Sequence, residues 1–341
     1  MPNELSAEVA LAVQQLLDAL APEHDRRFAT ELLTSAAEMI ADQPATLDLK
    51  IAASAVEEMR DAYAMFAPYR GRKKVTIFGS ARTQADEPLY MQASRVARHL
   101  AESGWMVITG AGPGIMQAAM EGAGREMSIG VSIRLPFEQG ANPIIAGDKK
   151  YVSMKYFFTR KLMLIKESSA FVCLPGGFGT LDEMFELLTL TQTGKGALVP
   201  IVFLDTPGDP YWETVAELID AQLVARGLVA PADTGLYFIT DNCQTAADEI
   251  DRFYANYDSM RYVGDLLVIR MRQAPTDEQL ASLNQVFARL CTKGSITRRG
   301  PLAIEMKEVD KIGMPRIVFT FAKHGFGDLR QMIDMINSFV S

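Results

Sequence analysis

Residues 170–190 read AFVCLPGGFGTLDEMFELLTL and place a glycine-rich turn directly before two carboxylates. The turn follows an apolar run, and Asp182 and Glu183 fall just inside the helical pattern that comes next. Glycine lets backbone N–H groups approach an anion, and N–H groups at the start of a helix favour negative charge. A carboxylate beside a bound sugar can stabilise positive charge or activate water while a glycosidic bond breaks. The stretch therefore predicts an anion-binding loop with Glu183 as a candidate reactive group.

The same residues allow a purely structural interpretation. Thr180 and Glu183 match a capping box, in which the threonine caps a helix and the residue three positions later reaches back to it. A carboxylate beside a phosphate loop would repel the ligand, which makes a purely structural glutamate a poor choice at this position. Local sequence alone leaves both interpretations open.

Two further glycine-containing turns follow apolar runs, at 108–119 (ITGAGPGIMQAA) and 78–82 (FGSAR). The first is not the dinucleotide-binding fingerprint, because its third glycine is Gly114 rather than residue 115 and no acidic residue ends the next strand. Each turn still offers N–H groups, and three turns at one sheet edge can converge on one phosphate. The predicted binding residues from these turns are Gly79, Ser80, Gly112, Gly114, Gly176, Gly177, Phe178, Gly179 and Thr180.

Arg160 lies in the segment 153–168, SMKYFFTRKLMLIKES, which is predicted to form a helix before the fourth strand. The apolar stripe of this helix is expected to pack on the sheet and comprises Met154, Phe157, Phe158, Leu162 and Ile165. Arg160 falls outside that stripe. It is either solvated or turned toward an anionic substrate, since guanidinium groups pair well with phosphate and ribose oxygens.

The loop at 134–143, RLPFEQGANP, contains three polar candidates for contacts with a base or ribose: Glu138, Gln139 and Asn142. The three histidines, His24, His99 and His324, lie in different segments, so the sequence predicts no zinc site. No G-x-S-x-G motif of a serine hydrolase is present either.

Short apolar runs alternate with helical patterns from about residue 71 to 257, which predicts a doubly wound α/β domain with a parallel, Rossmann-like sheet. Ligands bind such sheets at the carboxyl ends of the strands, where the glycines lie. Residues 1–70 are predicted to form an N-terminal region of three amphipathic helices, and residues 258–341 a small α+β appendage.

The composition argues against several classes of partner. A net charge of −8 without a run of Lys or Arg predicts no nucleic-acid surface. No apolar run has the roughly 18 residues of a membrane span, and no secretion signal is evident. Three widely spaced cysteines predict a reducing, cytoplasmic location rather than a disulfide framework.

The motifs PGGFGTLDE, FFTRKLM and GAGPGIMQAAMEGA together resemble the LOG ("lonely guy") family, over roughly residues 73–255. That family includes cytokinin-activating phosphoribohydrolases and bacterial nucleoside-5'-monophosphate nucleosidases, many labelled "possible lysine decarboxylase". The resemblance implies that Arg160 and Glu183 form the catalytic pair, that Lys161 belongs to the arginine–lysine motif, and that the glycine loops hold the 5'-phosphate. Glu138 aligns loosely with a substrate-contacting glutamate. The stretch MKYFFTRK differs from the plant Met-His-x-Arg-Lys pattern and is closer to the longer bacterial branch.

We therefore expect hydrolysis of a nucleoside 5'-monophosphate, such as AMP or a cytokinin riboside monophosphate, to free base and ribose 5-phosphate, without a metal or organic cofactor. A non-catalytic nucleotide or cofactor carrier on the same scaffold is the main alternative. Lysine decarboxylation would need a pyridoxal-binding lysine, and no such arrangement is evident. The resemblance also implies a homodimer or larger homo-oligomer.

Overall fold

The protein, a computed structural model, is described over residues 6–20, 25–135 and 140–340. Its chain divides into two compact units, the first ending at Asp61 and the second beginning at Ala62. Three helices at the N-terminal end match the sequence prediction: α1 Ala7–Leu20, α2 Arg26–Ala41 and α3 Thr46–Phe66. In the part of the chain that is described, no helix is long and apolar enough to cross a membrane.

The second unit contains a seven-stranded parallel sheet with the order β4-β3-β2-β1-β5-β6-β7. Its strands are β1 Lys74–Phe78, β2 Met106–Thr109, β3 Ser128–Ile133, β4 Tyr151–Met154, β5 Ala170–Cys173, β6 Ile201–Leu204 and β7 Phe238–Thr240. The helices between them are α4 Pro88–Glu102, α5 Ile115–Ala123, α6 Phe157–Lys166, α7 Phe178–Gln192, α8 Tyr211–Leu218 and α9 Cys243–Phe253. The predicted Rossmann-like α/β class is confirmed.

The predicted apolar runs correspond to β1, β2, β3, β5 and β6, which are nearly all fully buried. The two strands that the sequence did not predict, β4 and β7, are the sheet edges. Both are short and half-buried, so neither has the continuous apolar run of a central parallel strand. The helix predicted over 153–168 is correspondingly wrong at its start, because Met154 belongs to β4 and α6 begins at Phe157.

The order of the strands creates the ligand-binding edge. The chain runs outward from β1 through β4 and then returns to pair β5 with the other side of β1, with Val75 opposite Ala170 and Phe78 opposite Cys173. The connections therefore diverge above β1 and β5 and leave a crevice at their carboxyl ends.

The C-terminal segment forms a four-stranded antiparallel sheet with the order β10-β11-β9-β8. Its elements are β8 Tyr257–Val263, β9 Leu266–Met271, α10 Asp277–Phe287, β10 Cys291–Arg299, α11 Ala303–Glu308, β11 Arg316–Phe321 and α12 Phe326–Asn337. The predicted appendage shares one hydrophobic core with the parallel sheet domain. A buried ion pair also joins the two, between Arg330 Nη2 of α12 and Glu249 Oε1 of α9 at 2.5 Å.

Candidate active site

A cleft of about 1050 Å³ opens at the carboxyl edge of the parallel sheet, above the point where the connections diverge. It is lined by the ends of β1 and β3, by the edge strand β4, by the turns that follow β2 and β5, and by the starts of α6, α7 and α8. The predicted site residues that line it are Gly79, Ser80, Gly112, Arg160, Gly176, Gly177, Phe178, Gly179, Thr180 and Glu183. Gly114 and Lys161 are outside the lining, and Glu138 lies outside the described residues.

The three glycine turns meet at this edge through backbone hydrogen bonds. Ser80 N–H donates to the carbonyl of Pro175 at 3.3 Å, and Ile115 N–H donates to the carbonyl of Ser80 at 3.0 Å. Gly114 has φ +65, and an added Cβ would lie 2.4 Å from the oxygen of Ser80. Gly114 therefore allows two of the turns to approach one another instead of lining the cleft.

The turn between β5 and α7 needs glycine for two different reasons. At Gly176 an added Cβ would lie 2.2 Å from Thr180 Oγ1 and 3.0 Å from Ser80 N, so a side chain there collides with the packed loops. At Gly177 and Gly179 an added Cβ would meet nothing within 4 Å. These two glycines face open space, and their backbone is accessible to a ligand.

The structure contradicts the capping-box interpretation of Glu183. Helix α7 begins at Phe178 with Gly177 as its N-cap, and no side chain caps it. Thr180 is therefore already the third helical residue, and Glu183 lies a full turn inside the helix. The first N–H groups of α7 are left for a ligand or water, at the end of the helix where the dipole favours an anion.

Glu183 is a buried carboxyl on the wall of the cleft, with only 7% of its surface exposed. Its Oε2 atom is buried and has no hydrogen-bond partner among the described residues. Burial raises the pKa of Glu183 to about 7, although Arg160 and Lys161 act in the opposite direction. A carboxyl with this pKa changes its protonation state near neutral pH, as general acid–base groups commonly do.

Arg160 reaches the site because α6 packs differently from the prediction. The buried residues of α6 are Thr159, Met163 and Leu164, whereas Phe157, Phe158 and Leu162 are 44–54% exposed. Three of the five residues of the predicted stripe therefore face outward, whereas Met154 is fully buried and Ile165 is half-buried. Arg160 is half-buried, and its Nε donates to the carbonyl of Val131 on β3 at 3.2 Å. An added Cβ at Gly110 would lie 2.3 Å from Arg160 Nη2, so glycine at the end of β2 makes room for the guanidinium.

Lys161 lies behind the cleft and connects α6 to α7. Its Nζ is 2.8 Å from Asp182 Oδ2 and 2.7 Å from Glu186 Oε2. Burial lowers the pKa of Lys161, but the bonds to Asp182 and Glu186 outweigh it and leave the pKa above its ordinary value. Lys161 is thus held as an ammonium group that partly offsets the charge of Glu183.

The opposite wall contains residues that the sequence did not single out as site residues. Tyr151 on β4 and Ser132 on β3 form a 2.8 Å hydrogen bond between their hydroxyl groups, and the exposed Arg82 and Arg134 also line the cleft. Tyr211, at the start of α8, lines the side next to the glycine turn. Only Arg82 lies in a glycine turn that the sequence analysis identified, and the other four are brought to the cleft by the strand order.

Asn142, a candidate from the loop at 134–143, has a structural role instead. It is 6% exposed, and its Nδ2 donates to the carbonyl of Gly112 at 3.1 Å while its backbone N–H donates to that of Ala111 at 2.8 Å. The side chain therefore supports the second glycine turn from behind. Over the described ranges, no cluster of three or more His, Cys, Asp or Glu side chains could hold a metal ion.

Comparisons with known proteins bear on the family of the chain. Residues 114–250 match the family described as "Possible lysine decarboxylase". A protein of Oryza sativa subsp. japonica named as a probable cytokinin riboside 5'-monophosphate phosphoribohydrolase is 27% identical over 192 residues, covering 55% of this chain and 88% of its own. An Arabidopsis thaliana cytokinin riboside 5'-monophosphate phosphoribohydrolase is 23% identical over 193 residues, covering 55% of this chain and 85% of its own. These matches confirm the resemblance to the LOG family.

Among solved structures, the molybdenum cofactor carrier protein of Chlamydomonas reinhardtii is 21% identical. The match covers 53% of this chain and 97% of the carrier, with a TM-score of 0.38. A likeness at this level supports no conclusion about the activity of this chain.

Proposed function

Because the chain resembles the LOG family, we propose that it hydrolyses the N-glycosidic bond of nucleoside 5'-monophosphates to free base and ribose 5-phosphate. AMP is the simplest substrate of this class, and a cytokinin riboside monophosphate is another. The observation that carries the proposal is Glu183, a buried carboxyl with an unpartnered oxygen on the wall of a cleft that glycine turns also line.

The 5'-phosphate binds at the turn between β5 and α7 in this proposal. Gly177 and Gly179 leave the backbone accessible there, and the uncapped start of α7 supplies N–H groups and the positive end of the helix dipole. The ribose then extends along the cleft toward Glu183, which lies on the same helix one turn further on.

Glu183 acts in its ionised form. As the bond between the anomeric carbon and the base nitrogen breaks, its electron pair leaves with the base and positive charge develops on the sugar, which the carboxylate stabilises. Water adds to the anomeric carbon, its proton passes to Glu183, and the departing nitrogen is protonated in turn. A pKa of about 7 suits a group that must both accept and release a proton.

Arg160 orients the sugar phosphate and favours the ionised form of Glu183, against the larger effect of burial. Its Nε is held by the carbonyl of Val131, and its charge lowers the pKa of Glu183. The guanidinium therefore acts on both partners of the reaction, by pairing with substrate oxygens and by favouring the charged carboxylate.

Decarboxylation of lysine, the activity in the family description, does not fit these residues. Pyridoxal phosphate requires a lysine amine that can form a Schiff base. The described residues that line the cleft include no lysine, and Lys161 behind it is ion-paired to two carboxylates. A raised pKa further disfavours the neutral amine that such chemistry needs.

The test is to incubate the purified chain with AMP, GMP, CMP and isopentenyl-AMP and to separate the products by chromatography, with Glu183→Gln and Asp182→Asn as a matched pair. Release of base by the wild type and by Asp182→Asn, but not by Glu183→Gln, is the expected result. Binding of the monophosphates without release of base would refute hydrolysis and favour a carrier.

We also propose that a second copy of the chain packs against α6 and α7. Phe178 is 94% exposed, and Phe157 and Phe158 are each 54% exposed, on two helices that Lys161 joins. Large exposed apolar side chains concentrated in this way are typical of protein–protein contacts. Light scattering should show a dimer or larger oligomer for the wild type and for the control Val286→Glu, and a smaller species for Phe158→Glu. A monomeric wild type would refute the proposal.

A further inference from the structure

Tyr211 contacts the glycine turn between β5 and α7 but has no role in the proposed reaction. It is the first residue of α8, it lines the cleft, and its hydroxyl donates a 2.7 Å hydrogen bond to the carbonyl of Gly176. The two residues are 35 positions apart in sequence. Burial raises the pKa of Tyr211 above its ordinary value, so the hydroxyl stays protonated and keeps donating at neutral pH.

The accepting carbonyl belongs to the peptide between two glycines. In a trans peptide the C=O and the following N–H point in opposite directions, and no cis peptide occurs among the described residues. A bond that holds the Gly176 carbonyl toward Tyr211 therefore directs the N–H of Gly177 away from it. That N–H makes no hydrogen bond to another described residue, and Gly177 itself faces open space.

The freedom of glycine makes such a restraint necessary. A peptide flanked by two glycines can rotate with little steric cost, because neither neighbour has a Cβ. Rotation would turn the Gly176 carbonyl oxygen toward the anion in place of the N–H, and the oxygen would repel a phosphate. Thr180 and Ser80 fix the position of Gly176 but accept no hydrogen bond from its peptide.

Tyr211 is itself firmly anchored. The N–H of Tyr211 donates to Asp209 Oδ1 at 3.1 Å, and that of Trp212 donates to Asp205 Oδ2 at 3.1 Å. Trp212 is fully buried and stacks on Phe203 of β6 with ring centroids 4.5 Å apart. The start of α8 is thus fixed to the sheet, and the Tyr211 ring packs edge-on against Trp212.

We propose that Tyr211 is a positioning residue that orients the Gly176–Gly177 peptide so that the Gly177 N–H is available to the phosphate of the substrate. The inference rests on the proposed binding of a sugar phosphate at this turn. Its consequence is selectivity: Tyr211 favours phosphorylated over unphosphorylated ribosides without taking part in bond cleavage.

The test compares Tyr211→Phe with Tyr237→Phe, because Tyr237 stacks on the same Phe203 ring but does not line the cleft. Calorimetric titration with ribose 5-phosphate should show a roughly tenfold loss of affinity for Tyr211→Phe and none for Tyr237→Phe, the size expected for one lost hydrogen bond to a restrained group. For AMP hydrolysis, KM should rise by a similar factor while kcat stays within about twofold.

Binding of ribose, which has no phosphate, distinguishes the proposed role from a merely structural one. A merely structural role of Tyr211 would affect the binding of ribose and of ribose 5-phosphate alike. If Tyr211→Phe weakens ribose and ribose 5-phosphate binding equally, or leaves ribose 5-phosphate binding unchanged, the inference is wrong. Absence of ribose 5-phosphate binding in the wild type would also overturn it. Absence of hydrolysis alongside the expected binding difference would refute only the proposed activity and leave the role of Tyr211 standing.

Discussion

Replacing Glu183 by glutamine is expected to abolish activity and to stabilise the protein at alkaline pH. Burial raises the pKa of Glu183 from 4.5 to about 7, so the ionised carboxylate is disfavoured in the folded state. Between these two values the folded protein binds more protons than the unfolded chain, and its stability falls as pH rises. The difference between the two pKa values corresponds to a loss of about 3 kcal/mol in the free energy of unfolding. This loss is complete once the pH is above about 7. Glutamine carries no charge and avoids this cost.

The assay is urea unfolding of the wild type and Glu183→Gln at pH 4.5 and pH 8. The two proteins should be nearly equal in free energy of unfolding at pH 4.5, and the variant should be more stable by about 3 kcal/mol at pH 8. Glu186→Gln is the control, because it removes a carboxylate of the same helix that is ion-paired to Lys161 at 2.7 Å. This control should give no stabilisation at pH 8.

A variant that is no more stable than the wild type at pH 8 would refute the reasoning, because it would mean that burial does not penalise the charged carboxylate. An equal gain at both pH values would refute it as well, since that gain would come from packing instead of ionisation. Retained hydrolysis in Glu183→Gln would separately contradict the catalytic role.

Two further predictions concern the arginine and the glycine turn. Since Glu183 acts in its ionised form, kcat/KM of the wild type should rise as pH increases through about 7. Because Arg160 lowers the pKa of Glu183, Arg160→Gln should shift this rise to higher pH, while Arg134→Gln leaves it in place. An unshifted pH profile in Arg160→Gln would contradict the coupling. Gly176→Ala puts a methyl group 2.2 Å from Thr180 Oγ1, so it should lower the melting temperature and abolish ribose 5-phosphate binding. Gly179→Ala, whose methyl group would meet nothing within 4 Å, should fold as the wild type does. Equal melting temperatures for the two alanine variants would contradict the packing argument.

Some features of the site could be predicted from sequence because they depend on local chemistry. Central parallel strands are buried on both faces, so β1, β2, β3, β5 and β6 appear as apolar runs, and the glycines that end them mark the carboxyl edge. Glu183 stands out through its place after such a turn. The edge strands β4 and β7 cannot be recognised by an apolar run, because their half-buried residues need not be apolar.

The orientation of α6 shows where local pattern fails. The stripe of Phe157, Phe158 and Leu162 has the spacing of a buried face, yet it is exposed, and the face with Thr159 and Met163 packs inward. Hydrophobic periodicity identifies an apolar face but does not say whether the sheet or another chain covers it. Arg160 reaches Val131 only because the helix is turned in this way.

By itself, the sequence determined the fold class and the three glycine turns, since both depend on residue type and near-neighbour spacing. The candidate pair Arg160 and Glu183 came from the resemblance to the LOG family. Only the tertiary structure decided that β5 pairs with β1, which brings turns about 100 residues apart onto one cleft. It also decided that Glu183 is buried with an unpartnered oxygen and that Tyr211 holds the Gly176 carbonyl. Burial and long-range hydrogen bonds arise from strand order, and no local spacing encodes them.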